Sequence, residues 1–203
     1  IALDHPLVSA ARARKLPIVG DIELFARTTK TPYVAITGSN GKSTVTTLVA
    51  EMIAAAGHAV RAGANLGTPA LDLLKAPEVA YFVLELSSFQ LEHARRLRAN
   101  VAVLLNLAPD HLDRHGSLAG YGAAKARLAE LQQSGDWLVV NRDDGWARSV
   151  GERARARVLG FSIEAKLEAG AFLDGEDVVI ALEGERALRV PIASLSTASR
   201  RPI

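Results

Sequence analysis

Residues 33–53 read YVAITGSNGKSTVTTLVAEMI, with two glycines, a lysine and three hydroxyl side chains between an apolar run and an apolar-periodic one. That combination suits phosphate binding. Gly38 and Gly41 permit positive φ and let backbone N–H groups approach an anion closely, with Ser39 and Asn40 between them. The N-terminus of the helix that follows adds its partial positive charge. Lys42 can reach β- and γ-phosphates, and the hydroxyl of Ser43, with Thr44 beside it, can ligate Mg²⁺. One position departs from G-x-x-x-x-G-K-[ST]: the first glycine should fall at Ile36 and instead falls at Gly38. We read this as a tighter variant of the loop. The bland alternative is a glycine-rich strand-to-helix turn whose lysine is solvated, and Lys-Ser-Thr at the helix boundary speaks against it.

A metal held between such a loop and phosphates needs a carboxylate. Glu85 ends the apolar run AYFVLE, and the carboxyl ends of strands are where ligands bind in open parallel sheets. The same position also suits a polar strand end meeting solvent. Ser87 and Ser88 follow and can cap the next helix or touch a ligand, capping being the commoner use. The run VAVLLN ends at Asn106 and enters APDHLDRHGS, where two acids and two histidines lie within residues 110–115. His111 there is a candidate metal ligand or proton carrier. Lys125, in GYGAAKARLAELQ, reads from its surroundings as a solvated helix lysine, and His5, His58, His93 and His115 as structural or exposed.

The elements that would position these residues alternate. Tyr33–Thr37, His58–Ala62, Val79–Leu84, Val101–Asn106 and Trp137–Asn141 read as strands. Ser43–Ala56, with Val45, Leu48, Val49 and Met52 on one face, Phe89–Leu97, Leu118–Gln132 and Gly145–Arg155 read as helices. This predicts an α/β fold: a mainly parallel, P-loop (Rossmann-like) sheet with helices on both faces. After Val158 the texture changes to short runs at 172–173, 178–182 and 187–190, which predict a small antiparallel β appendage. The first thirty residues form a separate block ending in GDIELFARTTKTP, a helix and a linker, and the tail STASRRPI reads as frayed.

Composition excludes several classes of function. The chain has 203 residues, 49% of them hydrophobic, enough for a packed core. Lys+Arg exceed Asp+Glu by 24 − 22 = 2 with no basic run, so nucleic-acid binding has little electrostatic support. No cysteine is present, which excludes disulfides and thiolate metal sites and fits a reducing, cytoplasmic compartment. The longest apolar runs are strand-sized, as in residues 101–105, so no membrane insertion is expected. The start, IALDHPLV, lacks the build of a signal peptide, and its first residue, Ile1, suggests a chain that begins partway into a longer protein.

TGSNGKST, then GANLG, ELSSFQLE, N-x-x-x-DHLDRH and Y-x-x-AK, in this order and spacing, resemble the Mur ligases of peptidoglycan synthesis. GDIELF, and GSNGKST rather than GTNGKTT, resemble the member of that family that adds D-glutamate to UDP-N-acetylmuramoyl-L-alanine. The resemblance implies ATP as co-substrate, two Mg²⁺, small-molecule substrates and a monomer. It implies that residues 38–44 form the ATP loop, Lys42 being catalytic, and that Glu85 and Ser43 bind magnesium. It implies that Asn65, Ser87 and His111 surround the metals and the muramoyl-alanyl end of the substrate. Lys125 matches the family lysine that is carbamylated and helps hold the second ion, a task an ammonium could not perform.

Full members of the family have three domains. The resemblance implies that residues 1–30 are the tail end of the uridine-nucleotide-binding domain and that 31–203 are the central ATP-binding domain, with the C-terminal domain absent. Near Ser194 the family continues into L-x-G-x-H-N, where this chain reads SLSTASRRPI, so the central domain is expected to be incomplete. Three alternatives stand beside the D-glutamate ligase: a sister Mur or folylpolyglutamate-type ligase, a regulatory nucleotide switch, and a catalytically inactive nucleotide-binding fragment. No γ-phosphate-sensing loop or base-specificity motif supports the switch.

Overall fold

The structure, a computed structural model, describes residues 5–75, 78–182, 184 and 186–195. It opens with α1 (Pro6–Ala13) and α2 (Asp21–Thr28), then β1 (Tyr33–Thr37), α3 (Lys42–Ala55), β2 (Val60–Ala64), α4 (Ala70–Leu73) and β3 (Tyr81–Glu85). There follow α5 (Ser88–Leu91), β4 (Val101–Leu104), α6 (Leu112–His115), α7 (Leu118–Glu130), β5 (Trp137–Asn141), α8 (Gly145–Gly151) and β6 (Arg157–Ser162). The strands β7 (Gly170–Asp174), β8 (Asp177–Ala181) and β9 (Leu188–Pro191) and a 3₁₀ turn at Ile192–Ser194 complete it. The tail STASRRPI, residues 196–203, lies outside the described residues.

Among the described residues nine strands join one sheet in the order β2-β3-β1-β4-β5-β6-β7-β8-β9. From β2 to β7 every pairing is parallel, and β7–β8–β9 are antiparallel. The predicted antiparallel strands are therefore present, and they extend the main sheet. A further strand, β6, went unseen in the sequence. Its run RVLGFS opens on the exposed Arg157 and Val158 and is only partly covered, so it lacks the continuous apolar signature of β3 or β4.

Because side chains alternate along a strand, the sheet buries two sets of residues. Tyr33, Ala35, Phe82, Leu84, Ala102, Leu104, Leu138 and Val140 face one cluster, shared with residues of α2, α4, α7 and α8. Ile36, Val83 and Val103 face the other, where α3 supplies Val45, Val49, Ala50 and Ile53. This corrects the predicted face of α3: Leu48 is 40% and Met52 68% exposed. The row that touches the sheet runs 45, 49, 53, spaced by four residues, and Leu48 lies to one side of it.

The helix expected in GDIELFARTTKTP is α2. Its Ile22 and Phe25 are fully buried, and Phe25 meets Tyr33 and Phe82 edge-on at 5.7 and 5.2 Å between ring centroids. Burying a ring of this size contributes about 1.5–3 kcal/mol. The helix predicted over Phe89–Leu97 is shorter, ending at Leu91. Beyond it the N–H groups of Arg95 and Arg96 donate to the buried Glu23 carboxylate at 2.7 and 2.8 Å, so they serve an acceptor on α2 instead of a helical carbonyl.

Candidate active site

β1 ends at Thr37, and after four intervening residues α3 begins at Lys42. Gly41 is in the left-handed region (φ +79°) that turns the chain into the helix, where a side chain would be strained. Gly38 is needed for a different reason. A Cβ there would lie 2.8 Å from Leu105 Cβ and 3.3 Å from the Asn106 nitrogen, so the loop could not sit against the end of β4. No side chain caps α3, which leaves its first N–H groups free of capping partners and pointing out of the helix end. Lys42 Nζ donates to the Ser39 carbonyl at 3.0 Å, folded back over its own loop.

Three predicted residues meet at the head of α3. The Ser43 hydroxyl donates to Glu85 Oε2 at 2.7 Å, and Asn65 Nδ2 donates to Glu85 Oε1 at 2.7 Å. The register brings this about. β2 and β3 are adjacent parallel strands ending at Ala64 and Glu85, and the Asn65 N–H also donates to the Glu85 carbonyl at 3.0 Å. Glu85 is 3% exposed, so it is no strand end meeting bulk water.

Lys125 is the largest departure from a reading based on its neighbours in sequence. It is 1% exposed, its Nζ donates to the Gly38 carbonyl at 2.7 Å, and it lies 4.5 Å from the centroid of the Tyr121 ring. Burial, reinforced by the charge of Lys42 and opposed by that of Asp110, pulls its pKa down to about 7. α7 carries it from the far cluster to the underside of the loop.

His111 takes a left-handed conformation (φ 50°) at the N-cap of α6. Its side chain is 47% exposed, 3.4 Å from Asp110, and its ring lies 4.9 Å from Phe89 and 6.1 Å from Tyr121. It thus stands on an aromatic shelf, apart from the Ser43–Glu85–Asn65 cluster by hydrogen bonding. Ser87 is the N-cap of α5 in a reciprocal capping box with Gln90, so its hydroxyl is occupied at home. Ser88 meets His115 Nε2 at 3.0 Å, and the other His115 nitrogen faces Glu92 at 3.3 Å. Burial lowers the His115 pKa, and its side chain is 4% exposed. Among the described residues no group of three or more His, Asp or Glu side chains is set to hold a metal.

The Mur ligase middle domain matches residues 36–192, more than half of the chain. The chain belongs to the Mur ligase family. A UDP-N-acetylmuramoylalanine--D-glutamate ligase of Psychrobacter cryohalolentis is 52% identical over 148 residues, 73% of this chain and 31% of that one. The enzyme of the same name from Acidobacterium capsulatum is 42% identical over 197 residues, 97% of this chain and 42% of that one. The Mur ligase chain described here thus spans less than half the length of either relative. A solved UDP-N-acetylmuramoyl-L-alanyl-D-glutamate--2,6-diaminopimelate ligase superposes with a TM-score of 0.63 at 27% identity, covering 80% of this chain and 39% of that one.

This Mur ligase site also ties its loop to the chain beyond β4, through Asn106 and Ala108. Asn106 Oδ1 accepts from the Ser39 and Asn40 N–H groups at 3.1 and 2.9 Å, and its Nδ2 donates to the Asn40 carbonyl at 3.2 Å. Ser39 Oγ donates to the Ala108 carbonyl at 3.0 Å and accepts from the Ala108 N–H at 2.9 Å. In the sequence Asn106 stood out as a polar residue ending an apolar strand and as the first residue of N-x-x-x-DHLDRH. A magnesium ion fits the site in one respect: Ser43 and Glu85 offer two hard oxygen donors already in contact, and such ions take few protein ligands and complete their shell from phosphates and water.

Proposed function

We propose that this chain is the ATP-binding core of an ATP-dependent acid–amino-acid ligase that adds D-glutamate to UDP-N-acetylmuramoyl-L-alanine, a step of peptidoglycan precursor synthesis. The observation that carries the proposal is the convergence of the Ser43 hydroxyl and the Glu85 carboxylate, 2.7 Å apart, at the open head of α3 behind a glycine-turned loop. The D-glutamate ligases 42–52% identical to this chain support the D-glutamate substrate. The work of such a ligase serves the cell wall, and with it cell shape and division, in the cytoplasm. Residues 1–30 are proposed as the tail of the uridine-nucleotide-binding domain and 31–203 as the central domain.

In this reading the N–H groups at the head of α3 and the Lys42 ammonium bind the phosphates of ATP. Ser43 and Glu85 hold one magnesium ion, and Lys125, as its carbamate, with His111 holds a second. Bound magnesium supplies neutralisation of charge on phosphate and carboxylate oxygens. Asn65 orients Glu85 through its own hydrogen bond, and Asn65, Ser87 and His111 border the muramoyl-alanyl end. A carboxylate oxygen of the substrate attacks the γ-phosphorus and ADP leaves, giving an acyl phosphate. The amine of D-glutamate adds to that carbonyl and loses a proton, and inorganic phosphate departs as the amide forms. Lys42 balances charge in the first step by moving from the Ser39 carbonyl to the phosphates.

The test is calorimetric titration of the chain with Mg–ATP. Lys42→Ala should abolish binding, and an unchanged affinity would sink the assignment.

A further inference from the structure

We infer that Asn106 is a positioning residue for the phosphates, acting as a clamp that holds the first half of the loop and confines phosphate binding to the head of α3. The inference rests on the nucleotide reading above and adds to it a residue on a neighbouring strand's end that touches no phosphate.

The accounting of backbone N–H groups leads there. The Ser39 N–H is shared between the Asn106 carbonyl and its side-chain Oδ1, at 3.0 and 3.1 Å. The Asn40 N–H donates to the same Oδ1 at 2.9 Å. Both are spent on protein. The first helical bond of α3 runs from the Val45 N–H to the Gly41 carbonyl at 3.0 Å, so the N–H groups of Lys42, Ser43 and Thr44 precede it and face outward. An anion therefore finds its donors in the second half of the loop and the first helical turn.

The amide of Asn106 suits the clamp in both halves. Its oxygen faces two N–H donors and its nitrogen faces the Asn40 carbonyl at 3.2 Å, so the opposite orientation would set like against like. The clamp also accounts for the unusual glycine spacing. Ile36 is fully buried within β1, where a loop glycine has no use. The turn is made instead over residues 38–41, and its curvature is held from outside by Asn106, by Ala108 acting on Ser39, and by Lys125 acting on the Gly38 carbonyl. A loop held by its own protein in the bound shape loses less conformational entropy when a ligand arrives.

The experiment is amide hydrogen exchange by NMR together with Mg–ATP calorimetry on the 203-residue chain. Asn106→Ala should speed exchange at Ser39 and Asn40 at least about tenfold and weaken Mg–ATP about tenfold, the change one net hydrogen bond supplies. The Ala35 and Val83 amides of the sheet should keep their protection. Asn106→Asp retains an acceptor for both N–H groups but adds a negative charge near the phosphates. It should preserve protection at Ser39 and Asn40 while still weakening binding. Should Asn106→Ala cost the sheet its protection, Asn106→Ser carries the same comparison. Unchanged exchange in the alanine variant would overturn the clamp, and faster exchange with unchanged affinity would overturn its role toward phosphate. In both cases the nucleotide reading survives if Lys42→Ala alone abolishes binding. No binding by the unsubstituted chain would overturn both.

Discussion

Lys125 holds its amine against the Gly38 carbonyl in a setting where burial and the charge of Lys42 work against protonation. The sign of the consequence follows from linkage. With a folded pKa of about 7, below the ordinary lysine value, the folded chain binds fewer protons than the unfolded one between those limits. Stability should therefore rise with pH above about 7, by at most about 1.4 kcal/mol per pH unit, and level off near the unfolded pKa. Urea unfolding at a series of pH values should show this slope in the native chain and not in Lys125→Met; parallel slopes would refute it. The same depressed pKa supplies the neutral amine that carbamylation requires. In the intact ligase Lys125→Ala should cut activity severely, with partial rescue by an added small carboxylic acid. Lys125→Arg should stay inactive, because a guanidinium remains cationic and does not capture carbon dioxide. Full activity of the arginine variant would show that no carbamate is needed.

At the scale of elements, two helices depend on single side chains. Glu23 on α2 is 1% exposed and accepts from the N–H groups of Arg95 and Arg96 and from Arg27. Burial pushes its pKa up, but those donors outweigh burial and hold it below the ordinary value. A carboxylate so shifted stabilises the fold above its unfolded pKa, and the contribution is lost as pH falls through the folded one. Glu23→Ala should cost about 2–4 kcal/mol in chemical denaturation, because two backbone N–H groups and Arg27 lose a charged acceptor and the buried side chain leaves a gap. A loss below about 0.5 kcal/mol would mean that water replaces it without penalty. For α5, Ser87→Ala removes the N-cap and should cost about 1 kcal/mol. Ser87→Asp, which can cap, should restore most of it. If Ser87 also borders substrate, the aspartate variant will recover stability without recovering ligase activity.

At the scale of the molecule, one sheet carries everything from the loop to the antiparallel end, and α2 shares its main cluster. Phe25 links the amino-terminal block to β1 and β3 through Tyr33 and Phe82. Phe25→Ala should lose about 3–5 kcal/mol, the cost of a large buried ring and the cavity it leaves. Unfolding should be a single transition, with the fluorescence of Trp137 and Trp146 coinciding with far-ultraviolet circular dichroism. An early separate phase insensitive to Phe25→Ala would mean that α2 is a weakly docked appendage. No helix among the described residues is long and apolar enough to cross a membrane.

The sequence by itself determined what is local. A buried strand, a glycine turn and a helix following Lys42 within one residue of its observed start follow from residues adjacent along the chain, as do the alternation of β3, β4 and β5 with helices and the capping at Ser87. It also showed Glu85 at a strand end, because apolar runs announce where strands stop. What lies across the fold was not legible. Lys125 sits in a helix of ordinary composition, and its burial under Gly38 arises only when α7 packs against the sheet and the loop folds over β4. Asn106 and Glu23 are polar residues whose partners lie 66–67 and 72–73 positions away in sequence, too far for any periodic pattern to register. Even the face of α3 was misjudged, since Leu48 and Val49 are equally apolar and only the sheet beneath selects between them. Sequence patterns report the spacing of neighbours. The partners of the Lys125 amine and the Asn106 amide are set by which strands lie side by side, and that is decided when the sheet assembles.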